Sequence, residues 1–171
     1  MLKKYINNIG FCLGLIGLAL FVFGLAEKGI FEKNVVILYA TLLLFVAALI
    51  QKEQFFTGLE GIALVISAIV VFYQAPQVYN LTVFVGLIFV FAIWYFARHK
   101  LNFARICAFI GLVCLCLGIV LARNEFMVIC GIFLSVYAVF SIRQGFTVSW
   151  IFLALNILFA LVAIISLYGL Y

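Results

Sequence analysis

Apolar residues in this chain fall into seven long runs, and polar or charged residues are confined almost wholly to the short gaps between them. The runs lie near 9–26, 35–50, 55–73, 81–97, 103–121, 126–142 and 147–168. Each approaches the roughly 17–25 residues that an α-helix needs to cross a bilayer. The second and sixth are short, which a small tilt or local thinning of the bilayer accommodates. Membrane β-strands alternate polar and apolar positions over about ten residues. These runs are apolar on every face, so a barrel is excluded. The pattern predicts an all-α fold, a polytopic transmembrane helix bundle of about seven spans forming one integral membrane domain over 1–171. Lys3 and Lys4 before the first run resemble the start of a signal peptide. The Phe23–Gly24–Leu25–Ala26 stretch is a poor cleavage site, so a retained first helix is expected.

Composition sharpens this reading. The chain is 70% hydrophobic and 9% charged, with a mean hydropathy of +1.44, against roughly 45–50% apolar and about 25% charged residues in soluble domains. A soluble fold of this length has no interior large enough to hide so much apolar surface. One proline in 171 residues agrees with nearly continuous helix.

Charge sets the expected orientation. On alternate sides of seven spans, Lys3, Lys4, Lys52, Arg98, Lys100, Arg105 and Arg143 share one side, and Lys28, Lys33 and Arg123 the other. Each of the latter three has an acid beside it (Glu27, Glu32, Glu125), so the formal +5 resides on the N-terminal face. Basic residues mark the cytoplasmic side, which predicts a bacterial inner (plasma) membrane protein with its N-terminus cytoplasmic and its C-terminus outside. The basic face is read as topogenic charge attracted to anionic lipid, not as a nucleic-acid surface. His99, between Arg98 and Lys100, is expected to be a solvated loop residue.

Small residues recur along the odd-numbered runs. Gly14, Gly17 and Gly24 in the first correspond to Gly58, Gly61 and Ala68 in the third and to Ala108, Gly111 and Gly118 in the fifth, with Gly10 matching Ala104. This describes three tandem helical hairpins plus a C-terminal helix. Helices in lipid associate through close backbone approach and van der Waals contact, so the odd helices are expected to form the bundle interior.

The segments 60–76 (EGIALVISAIVVFYQAP), 110–122 (IGLVCLCLGIVLA) and 85–96 (VGLIFVFAIWYF) resemble the HdeD-type family of small bacterial membrane proteins, built from tandem hairpins with small residues seven apart. The likeness covers roughly 38–142, and the chain departs from it by keeping only Pro76 and by adding a seventh helix. The resemblance implies an inner-membrane protein associated with acid stress. It supplies no catalytic residues.

Chemistry is sparse. Aspartate is absent and the single histidine sits in a loop. No nucleophile–base pair, phosphate loop or metal spacing appears, so an enzyme is not expected and no cofactor is implied. Cys12, Cys107, Cys114, Cys116 and Cys130 read as buried thiols acting as small hydrophobes. Ionisable residues normally line ion-coupled pumps, and here Glu60 is the one acid placed inside a run, about 8 Å from its end. It is read as an interfacial carboxylate that reaches water or a basic loop residue, with a ligand or proton site as the sharper alternative. Asn156 is expected to hydrogen-bond between helices. Trp94, Tyr95, Tyr73, Tyr79, Trp150, Tyr168 and Tyr171 read as an interfacial aromatic belt. The reading these features favour is a non-catalytic structural or accessory subunit that packs against lipid and other membrane subunits in a larger secretion, respiratory or stress-response assembly, with a channel or carrier for a small neutral solute as the alternative.

Overall fold

A computed structural model describes residues 2–26, 30–73, 76–121 and 123–168. Seven helices follow one another: α1 (Leu2–Ala26), α2 (Ile30–Ile50), α3 (Gln54–Tyr73), α4 (Gln77–Arg98), α5 (Phe103–Leu121), α6 (Asn124–Arg143) and α7 (Ser149–Leu167). No strand occurs among the described residues. Helix ends fall where the local chemistry stops propagation. Pro76 precedes α4, where its missing N–H is not needed, and its carbonyl receives Tyr79 N and Asn80 N. Asn102 caps α5 by accepting Arg105 N at 2.9 Å. Lys52 (φ 58°) turns the chain between α2 and α3, and Gly145 (φ 93°) turns it between α6 and α7, where a side chain would be strained.

Neighbouring helices approach most closely at glycines. A Cβ added at Gly17 would lie 3.1 Å from Ala40 O, and one at Gly10 would lie 3.2 Å from Ala47 O, so α1 rests directly on the backbone of α2. Gly24 meets Val36 of α2, while Gly14 meets Ile151 and brings α1 against α7. Gly58 seats the Phe91 ring of α4, Gly61 faces Phe45 of α2, and Gly111 faces Leu134 of α6. Ala108 is fully buried and Ala68 half-buried. The surroundings of Gly118 lie outside the described residues. The tightest approach to a neighbouring backbone is at Gly131 of α6, where a Cβ would stand 2.6 Å from Asn156 O.

The interior is not built from the odd helices alone. Leu44, Ala47 and Ala48 of α2 and Leu134, Tyr137 and Ala138 of α6 are as buried as anything on α3, α5 or α7. On α1 the described buried residues are its four glycines. Small residues therefore mark where two backbones touch, whereas the centre of a bundle needs volume, which glycine cannot supply.

Outward faces carry bulky apolar residues, including Phe23, Phe72, Phe89 and Ile93. Four helices hold stretches long and apolar enough to cross a membrane: Asn7–Gly24, Gln54–Tyr73, Val78–Arg98 and Asn124–Arg143. Asn34–Ile50, Phe103–Leu117 and Ser149–Ile165 are shorter apolar stretches among the described residues. A seven-helix bundle with an apolar exterior is the make-up of a helical membrane protein.

Candidate binding cavity

The centre of the bundle holds a cavity of about 260 Å³ to which every helix contributes. Phe21, Thr41, Glu60, Phe84, Leu112, Cys130 and Asn156 line it from α1 through α7 in turn. Most of the wall is aromatic or aliphatic. The two polar residues singled out in the sequence, Glu60 and Asn156, meet in this one space, which Thr41 and Ser67 also line.

Their depth matches. Glu60 lies six positions beyond Gln54, the start of α3, and Asn156 seven beyond Ser149, the start of α7. At 1.5 Å rise both sit about 9–11 Å inside the same end of the bundle. Glu60 is 4% exposed and Asn156 7%. Glu60 makes no hydrogen bond or ion pair with any described residue, and the Asn156 side-chain nitrogen is buried without an acceptor. The expected interfacial carboxylate, reaching water or a basic loop residue, is therefore not what the fold builds. No basic side chain reaches it among the described residues. Asn156 likewise makes no interhelical bond through its amide nitrogen.

Nearly all buried polar groups in folded proteins find partners. Here a carboxyl and an amide donor share a cavity and have none among the described residues. Groups of His, Cys, Asp and Glu able to hold a metal do not occur among the described residues. The described cysteines are free, with Cys107, Cys116 and Cys130 buried, Cys114 half-buried and Cys12 on the outer face.

A second polar cluster closes the same end of the bundle, and sequence reasoning missed it. Glu53, in the turn before α3, is 2% exposed. Its Oε2 accepts Phe56 N at 2.5 Å, capping α3, and its Oε1 accepts the Tyr137 hydroxyl at 2.8 Å. With that proton committed, the 3.2 Å contact between Tyr95 and Tyr137 is donated by Tyr95. Ser141 also bonds Glu53 and receives the Ser149 hydroxyl at 2.7 Å. Donors from α3 and α6 thus converge on one carboxyl, with Tyr95 of α4 and Ser149 of α7 bonded behind them. Burial pushes that carboxyl above the usual carboxylate range, against the pull of Phe56, Tyr137, Ser141 and Phe55.

Gln51 completes the cluster. Its amide donates to Asn7 O (3.0 Å) and Thr147 Oγ1 (2.9 Å) and accepts Val148 N (2.7 Å), tying α1 to both turns. Every arm of Gln51 is used, so this cluster fastens helices together. Tyr95 belongs to it at 2% exposure and not to an aromatic belt, whereas Tyr73, Tyr79, Trp150 and Tyr168 are exposed. Tyr171 lies outside the described residues. His99 is half-buried, 2.5 Å from Gln54 Oε1 and against the Tyr95 ring. Burial, Arg105 and Arg98 hold its imidazole below the ordinary value.

Between the cluster and the cavity stand Phe56 and Phe152, stacked at 4.0 Å and 11°. Both rings line the cavity, and Phe56 also packs edge-on against Tyr137. The signal that could have found this arrangement is the Gln51–Glu53 pair lying just before an apolar helix. An acid at a helix N-cap has backbone donors waiting for it.

Comparison of the chain with protein-family models, curated proteins and solved structures finds no match.

Proposed function

We propose that the chain is a non-catalytic multi-pass protein of a bacterial inner membrane that holds a small solute inside its helix bundle, as a carrier or solute-binding protein. The observation that carries this reading is the pairing of two unpartnered polar groups, Glu60 and Asn156, on one cavity inside the bundle. Binding sites are concave, mostly apolar, and hold a few convergent polar groups that orient the ligand. An ionisable residue in a membrane interior is expensive and is a functional candidate for that reason. An accessory subunit accounts for the short loops and the missing catalytic chemistry. It gives no reason for a solitary carboxyl in the bundle core. In the proposed orientation Lys52, Arg98, Lys100, Arg105 and Arg143 face the cytoplasm, which puts the cavity nearer that side.

The test is solute-dependent stabilisation of the purified protein in lipid nanodiscs. A panel of small aryl alcohols, amides and amines should contain members that raise the melting temperature of the wild type. The same members should have no effect on Ala63→Leu, which fills the cavity wall. A panel without effect on the wild type, or with equal effect on both proteins, rejects the reading.

A further inference from the structure

We infer that the cavity is built for an amphipathic organic ammonium: a primary amine on a short aryl or alkyl body that also carries a hydroxyl. This rests on the solute-holding reading and specifies its ligand. Three observations select the class. Glu60 places a carboxyl in the cavity with no cation or donor from the protein beside it, so an anion meets no counter-charge there. An ammonium supplies charge and N–H donors together, and Asn156 Nδ2, a donor without an acceptor, calls for an oxygen on the same molecule. The remaining wall is apolar and rich in phenyl rings, with the stacked pair Phe56 and Phe152 on it. Ring faces attract a cation, and their area suits a hydrocarbon body.

A bare metal cation fits poorly. Hard divalent ions take six or more oxygen ligands or keep bound waters, and this wall offers one carboxylate and a few neutral oxygens among phenyl rings. Glu60 and Asn156 lie at the same depth on α3 and α7, so a ligand joining them spans the bundle across its axis rather than along it.

The experiment is equilibrium binding to wild-type protein in nanodiscs with four probes sharing one phenyl ring: 2-phenylethylamine, 2-amino-1-phenylethanol, 3-phenylpropan-1-ol and 3-phenylpropanoate. Expected is an affinity at least tenfold higher for the amines than for the neutral alcohol, and no binding of the carboxylate. The hydroxylated amine should bind more tightly than the plain one. Glu60→Gln should remove the preference for amines and leave alcohol binding unchanged, and Asn156→Leu should remove only the advantage of the hydroxyl. Because the probe series is read on the wild type, it decides the matter even where a variant fails to fold. Alcohol binding as tight as amine binding overturns the ammonium assignment and leaves the solute-holding reading standing. Binding of none of the four, with no member of the wider panel acting either, overturns both.

Discussion

A methyl group placed on Gly131 of α6 would stand 2.6 Å from the carbonyl oxygen of Asn156 on α7, closer than real carbon atoms approach. The same substitution would press on the backbone nitrogen and side chain of Ala160. Gly131 therefore sets the depth at which α7 docks and, with it, where the Asn156 amide enters the cavity.

Gly131→Ala is accordingly expected to cost about 1–3 kcal/mol, the usual range for overpacking a well-filled interface. Gly86→Ala is the control, because a Cβ there meets nothing within 4 Å. Thermal melts in detergent should separate the two variants clearly. Equal melting temperatures would show that α7 re-docks freely and that the contact has no structural weight.

Glu60→Met is expected to stabilise the ligand-free protein by about 1–3 kcal/mol while abolishing the preference for amines. The substitution replaces an unpaired buried polar group with an apolar one of similar volume, and burial without a partner is what costs. A carboxyl retained against stability is the mark of a site used for binding. A lower melting temperature for this variant would mean that the carboxyl is satisfied in the folded protein and would remove the basis of the proposed site.

The Glu53 cluster predicts a pH dependence of stability. Burial raises the Glu53 carboxyl above its ordinary value of 4.5, so between that value and the folded one the folded protein holds a proton that the unfolded chain has lost. This contribution is fully present below about 4.5 and is lost as the pH rises through the folded value. Glu53→Gln should flatten that decline. Tyr137→Phe removes a donor that pulls the carboxyl down, and it should extend the decline to higher pH. It should also cost about 1–3 kcal/mol through the acceptor left unpaired. Parallel melting-temperature profiles from pH 4 to 9 for all three proteins would rule this out.

Orientation is open to reporter fusions. With the N-terminus cytoplasmic and seven crossings, a reporter after Arg98 should be active on the cytoplasmic side and one after Tyr171 on the outer side. Activity of both on one side would require one of the shorter apolar helices, α2, α5 or α7, to stay within a single leaflet.

The helical membrane class and the bounds of most helices were legible in the chain. The run 103–121 is α5 (Phe103–Leu121), and 55–73 begins one residue after α3 (Gln54–Tyr73). The length and continuity of an apolar run belong to one dimension, and backbone groups in lipid must bond within the same helix, so the run states its own structure. Glu60 and Asn156 likewise stand out in the sequence as candidate polar residues, since a polar side chain inside such a run is costly wherever the run sits.

What those residues meet was decided only by the tertiary arrangement. Glu60 was expected to reach water, yet the fold buries it opposite Asn156. Glu53, a few positions earlier, looked like any loop acid, yet it lies at the focus of Tyr137, Ser141 and the start of α3. Tyr95 sits one residue from the exposed Trp94 and faces inward. Composition and spacing carry no information on which helix lies beside which. A side chain's partners come from helices far away in sequence, and these are chosen by how all seven pack at once. The core fell to α2 and α6 as much as to the glycine-rich helices for the same reason: a small residue shows where a neighbour can come close, and only the assembled bundle shows which neighbour comes and what it leaves at the centre.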